Sequence, residues 1–162
     1  MEQNKKGEIV LSESEKMMNN WLRHRNITEQ LVDIPMKDED LTFKPWEGAM
    51  TLGELFLHIV YWNDTFVSLV KNKEFMPPNI PVCTNVDELR RIVKKVTRIT
   101  KEKYRLITDL DISSPLKMAN FAGAGNTFLT MMYDHEIHHK GQLFVYLRLL
   151  GKEKLPFFRD YK

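Results

Sequence analysis

The chain has 162 residues and a mass of 19.2 kDa, with 43% hydrophobic and 28% charged residues, the balance of one globular domain able to bury a core without staples. A formal net charge of +2, with Lys and Arg spread along the chain, is too mild to point to nucleic acid as a partner. The single cysteine, Cys83, excludes an intramolecular disulfide and fits a reducing cytoplasm, the start MEQNKKGEIVLSESEK has no apolar run for a secretory signal, and no stretch is long and apolar enough for a membrane span.

Residues 1 to 11 read as a tail. Ser12 with Glu15 forms the sequence of a capping box, and Met17, Trp21, His24, Thr28, Leu31 and Val32 then make the stripe of a first helix ending before Pro35. His24 lies on that stripe and is expected to bond a core neighbour rather than a ligand. Pro45 and Gly48 prevent regular helix in the connector Pro35 to Met50, whose Leu41, Phe43 and Trp46 are expected to cover one end of a bundle. Thr51 and Glu54 make a second capping box, opening a helix over TLGELFLHIVYWNDTFVSLVKN. Its seam is Leu52, Leu55, Ile59, Trp62, Phe66 and Leu69, with His58 on the flank. Glu54, one turn before His58, can either close the box or bond the free nitrogen of that imidazole.

The loop Glu74 to Pro81, with three prolines, crosses to a third helix capped by Thr84 and Asp87. Leu89, Ile92, Val96, Ile99 and Leu106 define its apolar face. The opposite run of Arg90, Arg91, Lys94, Lys95, Arg98, Lys101 and Lys103 is read as a solvated surface, since no aromatics are interleaved for base stacking. Asp109 to Asn126, with Pro115 and AGAG, predicts an irregular or short-strand connection. A fourth helix follows, capped by Asn126 or Thr127 and stopped by Gly151. The tail KEKLPFFRDYK is expected to fold its phenylalanines back on the bundle.

The fourth helix carries the chemistry. At 100° per residue, Phe128, Met132, His135, His139, Gln142, Tyr146 and Leu150 share one stripe. One turn of helix separates His135 from His139 by roughly 6 Å along the axis, so both imidazoles can converge on one point. Two readings stand: a pair of core histidines each bonded to a neighbour, or a metal site. Burying two unpaired imidazoles strands polar nitrogens, which favours the metal. On the reverse face Ile137, Gly141, Phe144 and Val145 are also mostly apolar, as in a helix that is central or packed on another subunit.

Together the elements predict an all-α protein, a four-helix bundle with crossover connections, as a single domain over 1–162 with its core at about 12–151. The expected metal donors are His58, His135 and His139. Three neutral imidazoles leave a coordination position open, the pattern of a catalytic rather than a structural site. Nitrogen donors fit Zn²⁺, Ni²⁺ or Fe²⁺, with Cu²⁺ favoured by affinity but restrained by supply. Glu54, His138 and Gln142 are candidates to support those donors, and Glu54, Asp134 or Glu136 to orient a ligand. The loops Pro35 to Met50 and Ile112 to Gly125 are expected to shape the pocket.

HEIHHKGQL, His135 to Leu143, closely resembles the HxxxH[RK]GQ signature of DinB/YfiT-like proteins, and TLGELFLHI, Thr51 to Ile59, resembles that family's segment with the first metal histidine. The agreement runs from about Ser12 to Leu150; Lys140 stands where many members have Arg. The resemblance implies a crossover four-helix bundle, often a homodimer, with a divalent metal on His58, His135 and His139. It also implies metal-dependent activation of a low-molecular-weight thiol for transfer or isomerisation of a small molecule. Two functions follow as expectations: an enzyme, thiol S-transferase-like or secondarily a hydrolase, or a non-catalytic metal-binding protein of a DNA-damage stress response. No GxSxG, P-loop or Cys-His pairing in helical register supports other chemistry.

Overall fold

The computed structural model describes residues 10–162, so most of the expected N-terminal tail, 1 to 11, lies outside the described residues. Four long helices and one short one make up most of it: α1 Glu13–Val32, α2 Leu52–Asn72, α3 Val86–Tyr104, α4 Asp109–Ser113 and α5 Gly125–Leu149. A 3₁₀ turn, Asp38–Thr42, precedes α2, and the antiparallel hairpin β1 Pro115–Met118 and β2 Phe121–Ala124 leads into α5. Both α1 and α2 pack against the same two neighbours, α3 and α5. Consecutive α1 and α2 therefore occupy opposite corners of the bundle, as do α3 and α5. That diagonal arrangement is the crossover, and it needs the long connectors over 33–51 and 105–124. No helix among the described residues is long and apolar enough to cross a membrane.

The starts of α1 and α2 are the capping boxes expected, Ser12 with Glu15 and Thr51 with Glu54. Two other starts differ. The cap of α3 is Asn85, whose side chain accepts from Glu88 N–H, one position beyond the Thr84–Asp87 pair. Asn and Thr are both favoured N-caps, so sequence alone does not separate positions one residue apart. Helix α5 starts at Gly125 after Ala124 and takes no side-chain cap from Asn126 or Thr127. The hairpin delivers the chain instead, with Gly125 N–H donating to the Ser114 carbonyl at 3.0 Å. Gly151, at φ 77°, ends the helix as expected.

Burial follows the predicted stripes with local shifts. In α3 the buried set is Val86, Leu89, Val93, Val96, Thr97, Thr100 and Tyr104, while Leu106 lies past the helix end and is 61% exposed. Trp46 does not cap the core: it is 60% exposed, and Leu41 is the connector residue that is buried. The tail does return to α1, where Asp160 N–H donates to the Arg23 carbonyl at 2.8 Å. Its phenylalanines, Phe157 and Phe158, nonetheless stay exposed. The basic side of α3 is laced with carboxylates of its own chain, including Lys94 with Asp33, Lys101 with Glu29 and Lys103 with Asp64. Helix α2, buried nearly all round, is the central element rather than α5, whose outer side leaves Val145 and Leu149 exposed.

Two apolar clusters fill the interior. One gathers Leu31, Phe56, Leu89 and Leu147, the other Trp21, Phe66, Tyr104 and Phe128. Arg25, Thr28, Asn63, Thr97 and Glu136 are also fully or almost fully buried, and they bond one another across α1, α2, α3 and α5. A methyl on Gly125 would collide with the Asp111 carbonyl and come within 3.0 Å of Ile112 Cα, both backbone atoms. Gly125→Ala is therefore expected to cost roughly 1–3 kcal/mol in a urea melt. Gly141→Ala has nothing within 4 Å of the new methyl. It is expected to stabilise the protein by up to about 1 kcal/mol through helix propensity.

Candidate metal centre

Helix α2 packs against α5 with His58 on the facing side, where His135 and His139 are one turn apart. One ring nitrogen from each of the three residues lies within 4.8 Å of the other two. His58 Nε2 and His135 Nε2 are 2.9 Å apart, and the ring centroids stand 4.5 to 4.9 Å from one another. All three side chains are half-buried.

What surrounds the rings decides which nitrogens are free. His135 Nδ1 faces Asn63 Oδ1 at 3.0 Å. The Asn63 amide cannot be turned over, because its Nδ2 donates to Glu136 Oε2 at 2.6 Å and a carboxylate only accepts. His135 Nδ1 must therefore carry the proton, which leaves Nε2 with a bare lone pair directed into the cluster. His139 repeats the pattern, with Nδ1 donating to Gln142 Oε1 at 2.6 Å. An imidazole whose outer N–H is held by an oxygen is the arrangement metal-binding histidines adopt. The donor set fits a divalent ion of borderline softness.

Electrostatics point the same way. Burial, and then the neighbouring His139, lower the pKa of His58 to about 4. Burial, followed by His139 and His58, takes His135 to about 3. Burial also lowers His139, against the opposing bond from Gln142. Three neutral imidazoles with their lone pairs available are the form a metal needs.

Glu136 anchors the arrangement. Its carboxylate is fully buried and accepts from Arg25 Nε at 2.9 Å, Arg25 Nη2 at 2.6 Å, Trp21 Nε1 at 3.3 Å and the Thr28 hydroxyl, besides Asn63. A chain of contacts thus runs from Arg25 through Glu136 and Asn63 to His135. Arg25 and Asn63 were not among the sequence candidates. The available signal was Asn63 itself, a polar residue four positions after Ile59 and three before Phe66 on an apolar seam.

Other candidates fall elsewhere. The Glu54 carboxylate accepts from Thr51 N–H at 2.8 Å and closes the capping box, so the alternative bond to His58 is not made. His138 is exposed and sets its ring edge-on to His139 at 4.7 Å, outside the cluster. Asp134 is exposed as well. His24 bonds core neighbours, Lys140 Nζ at 2.6 Å and Tyr133 Oη at 3.3 Å. Lys140 also donates to the Phe158 carbonyl, so it ties down the C-terminal tail and offers no anion contact.

A cavity of about 580 Å³ opens beside His58, between the 3₁₀ connector, the start of α2 and the loop before α3. The connector over Pro35 to Met50 lines it through Leu41, Thr42 and Met50; nothing from Ile112 to Gly125 does. Cys83 also lines it, and burial pushes its thiol pKa up, keeping it protonated.

Asn63→Leu removes the acceptor that sets the His135 tautomer. It is expected to weaken cobalt or zinc binding about 10–100-fold in a chelator competition with the helical circular dichroism retained. The lowered pKa values of His58 and His135 have a second consequence. These groups bind protons in the unfolded chain near the ordinary value of 6.5 but not in the folded one until about 4 or 3. Their stabilising contribution is complete above pH 6.5 and is lost as the pH falls. The melting temperature of metal-free protein is expected to drop steadily from pH 6.5 toward pH 4, and to drop less in His58→Gln.

The family model of the DinB family matches residues 1–161. The uncharacterized protein YjoA of Bacillus subtilis (strain 168) is 29% identical over 153 residues, covering 93% of this chain and 99% of YjoA. The crystal structure of YjoA superposes with a TM-score of 0.77 at 26% identity, over 91% of this chain and 99% of that one. Two more distant structures share the fold. YfiT from Bacillus subtilis, described as a probable metal-dependent hydrolase with an unusual four-helix bundle topology, has a TM-score of 0.66 at 13% identity over 91% of this chain and 94% of YfiT. A mycothiol-dependent maleylpyruvate isomerase has a TM-score of 0.61 at 14% identity over 85% of this chain and 67% of the isomerase. With a family model spanning nearly its full length and a four-helix bundle of the same architecture, the chain belongs to the DinB family.

Proposed function

We propose that this protein is a metal-dependent enzyme in which His58, His135 and His139 hold one divalent ion and leave a coordination position for a small molecule. The observation that carries the reading is the convergence of three neutral imidazoles, two with their outer N–H groups bound by amide oxygens, beside a cavity that shares His58. Zinc and nickel suit this ligand set. The descriptions of YfiT as a probable metal-dependent hydrolase and of the isomerase as mycothiol-dependent support a metal and a thiol respectively.

A divalent ion held there would lower the pKa of a bound thiol or water and so supply a nucleophile at neutral pH. The chain's own groups favour the thiol. Glu136 accepts from five donors in the interior and does not line the cavity. Glu54, the carboxylate in the cavity wall, is engaged at the Thr51 N–H. Base-assisted attack by water thus lacks a ready base, whereas a thiol needs only to be ionised and positioned. Asn63 and Gln142 hold the two α5 imidazoles in place, and Leu57 and Met50 supply apolar wall to the cavity beside His58.

The alternative, a non-catalytic metal-binding protein acting through its surface, has one observation in its favour. Ile137, Val145 and Leu149 are exposed along the outer side of α5, a face suited to a second copy. The proposed homodimer uses that face, and Val145→Glu is expected to shift the protein to monomer in sedimentation equilibrium.

Elemental analysis of untagged protein, purified without a metal column, is expected to find close to one zinc or nickel per chain, and His135→Ala to carry almost none. A screen of low-molecular-weight thiols against electrophiles is expected to give metal-dependent conjugation that falls at least about 100-fold in His135→Ala, the loss of a transition-state interaction worth about 3 kcal/mol. A metal-loaded protein inert with every thiol tested would leave the surface reading in possession.

A further inference from the structure

We infer that the cavity beside His58 receives the uncharged, largely apolar body of the small-molecule ligand, with charge confined to the one donor atom that reaches the imidazoles; this rests on the metal reading above. Its volume of about 580 Å³ lies within the range of small-molecule pockets. Met50, Leu57, Ile80 and Val82 supply apolar wall, and Thr42 and Thr84 supply hydroxyls. Among the described residues lining it there is no lysine or arginine, and Glu54 is the one carboxylate.

The basic groups nearest the imidazoles are already paired. Arg25 is fully buried against Glu136, and Lys140 bonds His24 and the Phe158 carbonyl. A carboxylate or phosphate on the far part of a ligand would meet no lysine or arginine among the described residues of the cavity wall, and Arg91, near Cys83 at its edge, is solvent-exposed and pairs with Glu88. Taking an unpaired charge out of water is costly. An ammonium group fares little better. Glu54 is solvent-exposed, which screens its attraction, and a divalent ion on the imidazoles would repel a second cation. Uncharged groups that displace water from the apolar wall incur neither penalty.

The test uses the full chain loaded with Co²⁺, whose thiolate charge-transfer absorption reports a thiol reaching the ion. Three probes are titrated, each corrected for its own acidity: 2-phenylethanethiol with an uncharged apolar body, mercaptosuccinate with two carboxylates, and cysteamine with an ammonium group. The phenyl thiol is expected to bind at least about tenfold tighter than either charged thiol, because each leaves a charge unpaired. Val82→Lys, at an exposed position in the cavity wall, is expected to strengthen mercaptosuccinate about tenfold by providing that partner. Equal or tighter binding of either charged thiol to the unaltered protein overturns the inference while leaving the metal centre standing.

Failure of the protein to take up Co²⁺ overturns the metal reading instead. The cavity is then examined alone, by titrating metal-free protein with 2-phenylethanol and with phenylsuccinate and following the Met50 methyl resonance. A shift with the alcohol and none with the diacid sustains the apolar assignment. The reverse, or no shift with either, ends it.

Discussion

The Glu136 carboxylate is the constraint on which the rest of this protein depends. It sits at zero exposure in the interior of a helical bundle, where an unpaired charge is prohibitive, and it is tolerated because Arg25, Trp21, Thr28 and Asn63 all donate to it. Those donors come from both α1 and α2, so the acceptor on α5 sets the rotation of all three helices about one point. Apolar packing alone would admit several rotations of comparable energy. A buried ionic group with directional partners admits one, at some cost in net stability.

The same carboxylate reaches the candidate site indirectly. By fixing the Asn63 amide it fixes the proton on His135 Nδ1, and so the bare nitrogen that faces His58. One interaction therefore serves the fold and the chemistry together. Adjacent residues 135 and 136 divide the two tasks, because side chains one position apart on a helix diverge by about 100°. His135 turns toward α2 and His58, and Glu136 turns toward α1 and the interior.

His24 and Lys140 show how a motif residue can belong to structure. Lys140 lies directly after His139, yet its ammonium group holds the returning C-terminal tail through the Phe158 carbonyl and meets His24 on the way. Burial lowers the pKa of Lys140 to about 8 and that of His24 to about 4, consistent with groups retained for their hydrogen bonds in a dry setting. The run from His135 to Gln142 thus serves three directions at once: the imidazole cluster, the Glu136 network and the tail.

Local chemistry was legible from residue order alone. The capping boxes at Ser12 and Thr51, the stop at Gly151 and the four apolar stripes each depend on neighbours within a turn or two, and they placed the long helices. The i, i+4 spacing of His135 and His139 likewise showed that two imidazoles share a face. Where the sequence offered competing local solutions, only the tertiary structure chose. Asn85 took the cap of α3 over Thr84, the hairpin delivered Gly125 to α5 in place of an Asn126 cap, and Glu54 went to Thr51 N–H rather than to His58. Arg25, Asn63 and Glu136 are far apart in sequence, and nothing local distinguishes a charged residue facing water from one facing a buried partner. Their meeting is a property of helix rotation and of the diagonal placement of α1 and α2, which the long-range packing of the assembled bundle decides.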